Sequence, residues 1–177
     1  MKTLGVFCGS RDGGNECYRF LAQELGRAMA CRGVRLVYGG GRAGLMGILA
    51  NSVLQHKGEV LGVIPTFLCR PEVVHQELTH LEVVKDMHER KKLMYDSADA
   101  FAVLPGGLGT LDELVEILNW AHLNLHQKPI FLLDVGGFWS LFSEFLSNID
   151  REGFSDLDGK GLYSVAEDPG QMLDMLV

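Results

Sequence analysis

A chain of 177 residues, 47% hydrophobic and 22% charged, can bury one core of ordinary domain size, and 1–177 read as a single domain, not a disordered chain. Its net charge of −7 disfavours nucleic acid as a partner, since binding a phosphate backbone needs a basic surface. No apolar run nears membrane-spanning length, Met1-Lys2-Thr3-Leu4 runs straight into a strand, and four cysteines form no Cys-x-x-Cys pair; the expected setting is reducing and cytoplasmic, off the membrane.

The first strand-like run is 4–8, followed by Gly9 and Ser10, and helical periodicity then covers 16–31. Cys8 ends a buried strand and reads as a packed free cysteine, not a nucleophile. A second strand at 34–38 leads through Gly39-Gly40-Gly41-Arg42-Ala43-Gly44 into a helix at 45–56. That turn satisfies G-x-G-x-x-G, but a dinucleotide site also expects a carboxylate at the end of the next strand. The next strand, 60–64, ends Val63-Ile64-Pro65, and Glu59 lies at its wrong end. Close backbone packing explains the glycines equally well. Pro65 and Pro71 make the stretch between Ile64 and Leu81 an irregular loop with a short helix.

Strands at 81–84, 100–104 and 130–134 then alternate with helices at 86–97, 111–122 and 139–149. A polar loop follows at 156–161, and 162–165 reads as an edge strand. Alternation of this kind predicts an α/β fold: a single Rossmann-like domain with a mostly parallel sheet of six or seven strands and helices on both faces. Ligands in such folds bind beyond the carboxyl ends of the strands. The glycine turns after Cys8, Tyr38 and Leu104 all fall there.

The third of these turns, Pro105-Gly106-Gly107-Leu108-Gly109-Thr110-Leu111-Asp112-Glu113, carries the most chemistry. A glycine-rich passage from strand to helix gathers backbone N–H groups at the positive end of a helix, which suits a phosphate. Glu113 places a carboxylate one turn beyond that anion site. Thr110-Leu111-Asp112-Glu113 also has the form of a capping box, with Thr110 as N-cap and Glu113 at the third helical position.

The pattern P-G-G-x-G-T-x-x-E resembles the signature of the Lonely Guy family, the cytokinin riboside 5'-monophosphate phosphoribohydrolases. Phe7-Cys8-Gly9-Ser10, Gly39-Gly40-Gly41 with Gly44-Leu45-Met46-Gly47, and Met87-His88-Glu89-Arg90-Lys91 are similar in order and spacing. So is the tail from Trp120 through Lys128-Pro129 to Glu152-Gly153-Phe154, and the likeness spans about residues 4 to 154.

The resemblance implies hydrolysis of the N-glycosidic bond of nucleoside 5'-monophosphates, cytokinin ribotides or AMP, to free base and ribose 5-phosphate. It implies no cofactor and no metal, and a homodimer whose pocket borrows residues across the interface. Arg90 and Glu113 take the catalytic roles; Ser10, Glu72, Met87, Lys91, Asn119 and the turn residues Gly106, Gly107, Leu108, Gly109 and Thr110 take substrate contacts. A guanidinium at Arg90 would orient the ribose and keep Glu113 ionised at neutral pH. Glu113 would stabilise an oxocarbenium-like ribose or accept a proton from water.

Two departures stand out. Arg11 replaces the family's second serine, and Asn119-Trp120-Ala121-His122-Leu123-Asn124 replaces Thr-Trp-x-Gln-Leu-Gly, which leaves the base preference open. A nucleotide sensor without turnover is the second reading, though a pure binder needs neither Arg90 nor Glu113. Lysine decarboxylase lacks a lysine in a recognisable cofactor context, and His122 with His126 lacks a third ligand for zinc.

Overall fold

The structure is a computed structural model that describes residues 1–156 and 161–176. The chain runs β1 (Thr3–Phe7), α1 (Glu16–Cys31), β2 (Arg35–Tyr38), α2 (Gly44–Gln55), β3 (Val60–Pro65), a 3-10 turn (Thr66–Leu68), β4 (His80–Val84), α3 (Met87–Ser97), β5 (Ala100–Val103), α4 (Leu108–His122), β6 (Ile130–Leu133), α5 (Ser140–Arg151), β7 (Ser164–Ala166) and α6 (Pro169–Asp174). The strands pair in parallel in the order β4-β3-β2-β1-β5-β6-β7. β1, β3, β5 and β6 are buried throughout, as strands covered on both faces must be, whereas β4 is mostly exposed at its edge.

Helices α1, α2 and α6 pack Leu21, Leu25, Leu49, Val53, Met172 and Leu173 on one face of the sheet. On the other face α3, α4 and the start of α5 bring Met94, Leu114, Ile117, Leu118 and Trp139 against Phe7, Phe101 and Leu132. β1 pairs with β2 on one side and β5 on the other, so the winding reverses between β1 and β5. The loops leaving these two strands diverge there and open the crevice in which ligands of such sheets sit.

The fold expected from the alternation is the one observed, with local differences. α4 begins at Leu108, three residues before the expected 111, because the glycine turn is already helical. Consequently Thr110 is not an N-cap and Glu113 does not close a capping box: Gly107 caps α4, with no side-chain hydrogen bond. The capping carboxylates serve α3 instead. There the Glu89 N–H donates to the Asp86 side chain and the Glu89 carboxylate accepts from the Lys85 N–H. The edge strand lies at Ser164–Ala166, not 162–165, and α6 was not expected from periodicity because it is only six residues long. Four residues of the polar loop predicted at 156–161 lie outside the described residues.

Candidate active site

Three glycines shape the head of α4 in two ways. A Cβ on Gly106 would lie 2.1 Å from Thr110 Oγ1, so the absence of a side chain lets the buried Thr110 fold beneath the turn. Above Gly107 and Gly109 a Cβ would meet nothing within 4 Å. The first helical hydrogen bond runs from Leu111 N–H to Gly107 carbonyl, so the N–H groups ahead of it have no partner in the helix. With open space over them and the helix dipole behind them, they are arranged as an anion could use them.

Arg90 and Glu113 meet one turn below. Arg90 stands on the first turn of α3, where it is 9% exposed. Its Nε donates to the Val63 carbonyl at 3.1 Å, in the last half of β3, and its Nη2 to the Gly39 carbonyl at 3.3 Å, just past the end of β2. The remaining prong, Nη1, is 3.5 Å from Glu113 Oε1. Gly39 has to be glycine for this to happen, since a Cβ there would lie 1.8 Å from Arg90 Nη2. The residue that looked like part of a dinucleotide fingerprint is thus the seat of the guanidinium.

Glu113 is 8% exposed, and burial pushes its carboxyl up to about 7 against the opposing pull of Arg90 and then Lys91. This differs from the expectation that Arg90 keeps it ionised at neutral pH. Desolvation outweighs one ion pair at 3.5 Å, and Glu113 is poised between acid and base near neutrality. Burial, with the Glu113 charge second, drives the neighbouring Cys8 thiol far upward, so Cys8 lines the cavity as a neutral group.

The cavity over this pair has a volume of about 410 Å³; Met46, Ile64, Leu68 and Val73 form its apolar wall, Ser10 and Thr110 its polar rim, and the exposed Leu108 stands at its edge. A second cavity of about 490 Å³ opens on the other side of the turn, and Ser10, Gly107 and Leu108 line both. The apolar wall was not anticipated. Leu68 and Val73 come from the proline-containing loop, which hydrogen bonds fasten to the Gly39–Gly41 turn: Arg42 N–H donates to the Val73 carbonyl and His75 N–H to the Gly40 carbonyl, both at 2.9 Å. Only the position of that turn at a strand end pointed to this wall in the sequence.

Other expected contacts fall at varying distances from this centre. The sulfur of Met87 is 3.9 Å from Arg90 Nη1, the prong that also faces Glu113. Lys91 turns away and pairs with Asp112 at 2.7 Å and Glu116 at 3.5 Å, tying α3 to α4. Glu72 is exposed in the loop beside Val73. Asn119 is not in this cavity; it lines a separate groove with Val115, Leu118, Leu146 and Tyr163. His126, considered for a metal, directs Nε2 to the Ile117 carbonyl at 2.9 Å.

Comparison with known proteins places this architecture. A family model described as "Possible lysine decarboxylase" matches residues 46–176. A cytokinin riboside 5'-monophosphate phosphoribohydrolase of Rhodococcoides fascians is 48% identical over 154 residues, covering 86% of this chain and 78% of the relative. A probable enzyme of the same description from Oryza sativa subsp. japonica is 44% identical over 176 residues, covering 99% of this chain and 76% of the relative. Among solved structures, a molybdenum cofactor binding protein from Rippkaea orientalis superposes with a TM-score of 0.76 over 99% of this chain and 94% of its own; at 20% identity it shares the fold.

Proposed function

The chain belongs to the cytokinin riboside 5'-monophosphate phosphoribohydrolases, and we propose that the cavity over Arg90 and Glu113 is its catalytic centre. The enzyme hydrolyses the N-glycosidic bond of a nucleoside 5'-monophosphate, releasing free base and ribose 5-phosphate. The observation that carries the assignment of the site is the buried Arg90–Glu113 pair directly below an open cradle of N–H groups.

In this reading the 5'-phosphate rests on the N–H groups of Leu108, Gly109 and Thr110, and its binding energy fixes the ribose over Glu113. As the bond to the base lengthens, positive charge grows on the ribose ring. The ionised Glu113 carboxylate stabilises that charge or takes a proton from the attacking water. Arg90, held by two carbonyls, sets the position of Glu113 and offers ring hydroxyls the edge of its planar fork. The family model's description names a different reaction, yet among the described residues no lysine lines this cavity.

The finer proposals concern assembly and setting. The chain forms a homodimer through the apolar face of α5, and Asn119, on a groove of its own, reaches the base of substrate bound in the partner. The exposed Leu141 and Phe145 support this reading. It works in the cytoplasm, where its four free cysteines stay reduced, and does not bind nucleic acid, in keeping with the net charge of −7. Among the described residues no helix is long and apolar enough to cross a membrane.

The test is direct. Purified protein incubated with AMP and with isopentenyladenosine monophosphate should release free base and ribose 5-phosphate in equal amounts from at least one of them. No base from either, with the protein folded, overturns the reading.

A further inference from the structure

A nucleotide phosphate brings close to two negative charges to a chain whose net charge is already −7, and backbone N–H groups supply only partial positive charge in return. A cation should therefore stand nearby. Two line the paired cavities: Arg90 in the smaller and Arg11 in the larger. The charge of Arg90 already faces the Glu113 carboxylate, and three of its five N–H donors go to Glu113 and two carbonyls, which leaves the other two for the ribose. Lys91, adjacent in sequence, is taken by Asp112 and Glu116.

Arg11 is different. Its side chain has no hydrogen bond or ion pair to the described residues, and Asp12, the acid beside it in the cavity, pairs with Arg19 instead. Its backbone, by contrast, is fixed. A Cβ on Gly44 would lie 2.3 Å from Arg11 N, and one on Gly9 would lie 2.9 Å from the Arg11 carbonyl oxygen. The main chain at this point is held tightly against Gly44 at the head of α2 and against Gly9 of its own loop, while the guanidinium is unspent in a cavity that shares Ser10, Gly107 and Leu108 with the catalytic one.

We infer that Arg11 is the counter-cation of the substrate's 5'-phosphate and sets the preference for nucleotide over nucleoside. This rests on the reading of the Gly107–Thr110 turn as the phosphate cradle. In the free protein the larger cavity keeps Arg11 solvated; on binding, the guanidinium closes on the phosphate from the side opposite Glu113. A planar fork matches two phosphate oxygens at once, which the small neutral side chain of Ser10 cannot do. The arrangement also keeps the cation away from the ribose, where added positive charge would oppose an oxocarbenium-like transition state.

The test compares wild type with Arg11→Ser, Arg11→Gln and Arg11→Lys, using AMP turnover and calorimetric binding of ribose 5-phosphate and of adenosine. Arg11→Ser and Arg11→Gln should raise the KM for AMP and weaken ribose 5-phosphate binding by roughly tenfold, the scale of one lost charge-assisted contact. They should leave kcat within about twofold and adenosine binding unchanged, as expected where uniform binding is lost. Arg11→Lys should recover part of the loss. Ribose 5-phosphate binding equal to wild type in Arg11→Ser, equal loss of adenosine binding, or no binding of ribose 5-phosphate by wild type would each overturn the inference. If wild type binds ribose 5-phosphate through Arg11 but releases no base, Arg11 keeps its role and the hydrolytic reading falls alone.

Discussion

A carboxyl that titrates near neutrality must lose its proton before it can face a cationic ribose, so on the proposed mechanism Glu113 ties turnover to pH. Its pKa of about 7 predicts a kcat/KM that rises as pH increases to about 7 and levels above. The substrate's own phosphate also titrates near 6, so a second measurement is needed. Burial raises the folded-state value above the ordinary 4.5, so Glu113 contributes stability fully present below about pH 4.5 and lost as pH rises through about 7. Glu113→Gln should abolish that decline, up to about 3 kcal/mol between these limits, while cutting turnover at least roughly a hundredfold above pH 7, where the wild-type carboxylate is ionised. A Glu113→Gln protein that hydrolyses AMP at near wild-type rate ends the mechanism. Arg90→Lys keeps the charge but cannot reach Val63, Gly39 and Glu113 together, and kcat should fall at least roughly tenfold with the fold intact by circular dichroism. The identities of Arg90 and Glu113 were legible in the sequence through their motifs. The state of Glu113 was not, because desolvation depends on what α4 is packed against.

At the scale of elements, the wall of the proposed catalytic cavity depends on a loop whose regular structure, among the described residues, is one 3-10 turn, Thr66–Leu68. His75 fastens it: buried, it directs Nε2 to Asn51 Oδ1 on α2 at 2.9 Å, while Nδ1 accepts from the Glu77 N–H at 3.2 Å. Both bonds hold only for the neutral ring protonated at Nε2, and a second proton would face the Glu77 N–H. Burial lowers the His75 pKa and Arg42 adds to this, against the raising effect of the Glu77 carboxylate. The lowered value means that the stability it contributes is present above pH 6.5 and lost as pH falls through the folded-state value. His75→Ala should cost about 1–2 kcal/mol by removing two part-buried hydrogen bonds, and should raise the KM for AMP as Leu68 and Val73 loosen. Unchanged denaturant midpoints at pH 7.5 would show that the clamp contributes nothing. No periodicity marks such a loop, so the sequence read it as irregular with a short helix, which the 3-10 turn Thr66–Leu68 supplies, and did not show what fastens it. The start of α4 was misplaced for a related reason: glycines disfavour helix interiors on propensity, yet here the first turn forms because Thr110 packs beneath Gly106.

At the scale of the whole molecule, alternation of buried strands with amphipathic helices was enough to read the parallel sheet, because each crossover is right-handed and each central strand must be covered twice. The helix α5 shows what remained. Over Ser140–Arg151 no residue is buried, although Phe142 and Leu146 pack in part against the core. Leu141 is 77% exposed and Phe145 61% exposed, on a helix whose neighbour α4 also leaves Val115 half exposed. An apolar face of this kind is stable in water when a partner covers it. Light scattering should therefore give twice the 19.5 kDa chain mass. Leu141→Glu with Phe145→Glu places two charges where the partner would sit and should yield a folded monomer, since neither side chain is buried in the single chain. If Asn119 serves the partner's substrate, that monomer should also lose most AMP hydrolysis while still binding ribose 5-phosphate at Gly107–Thr110. A fully active monomer would return the whole site to one chain and leave Asn119 as a surface residue.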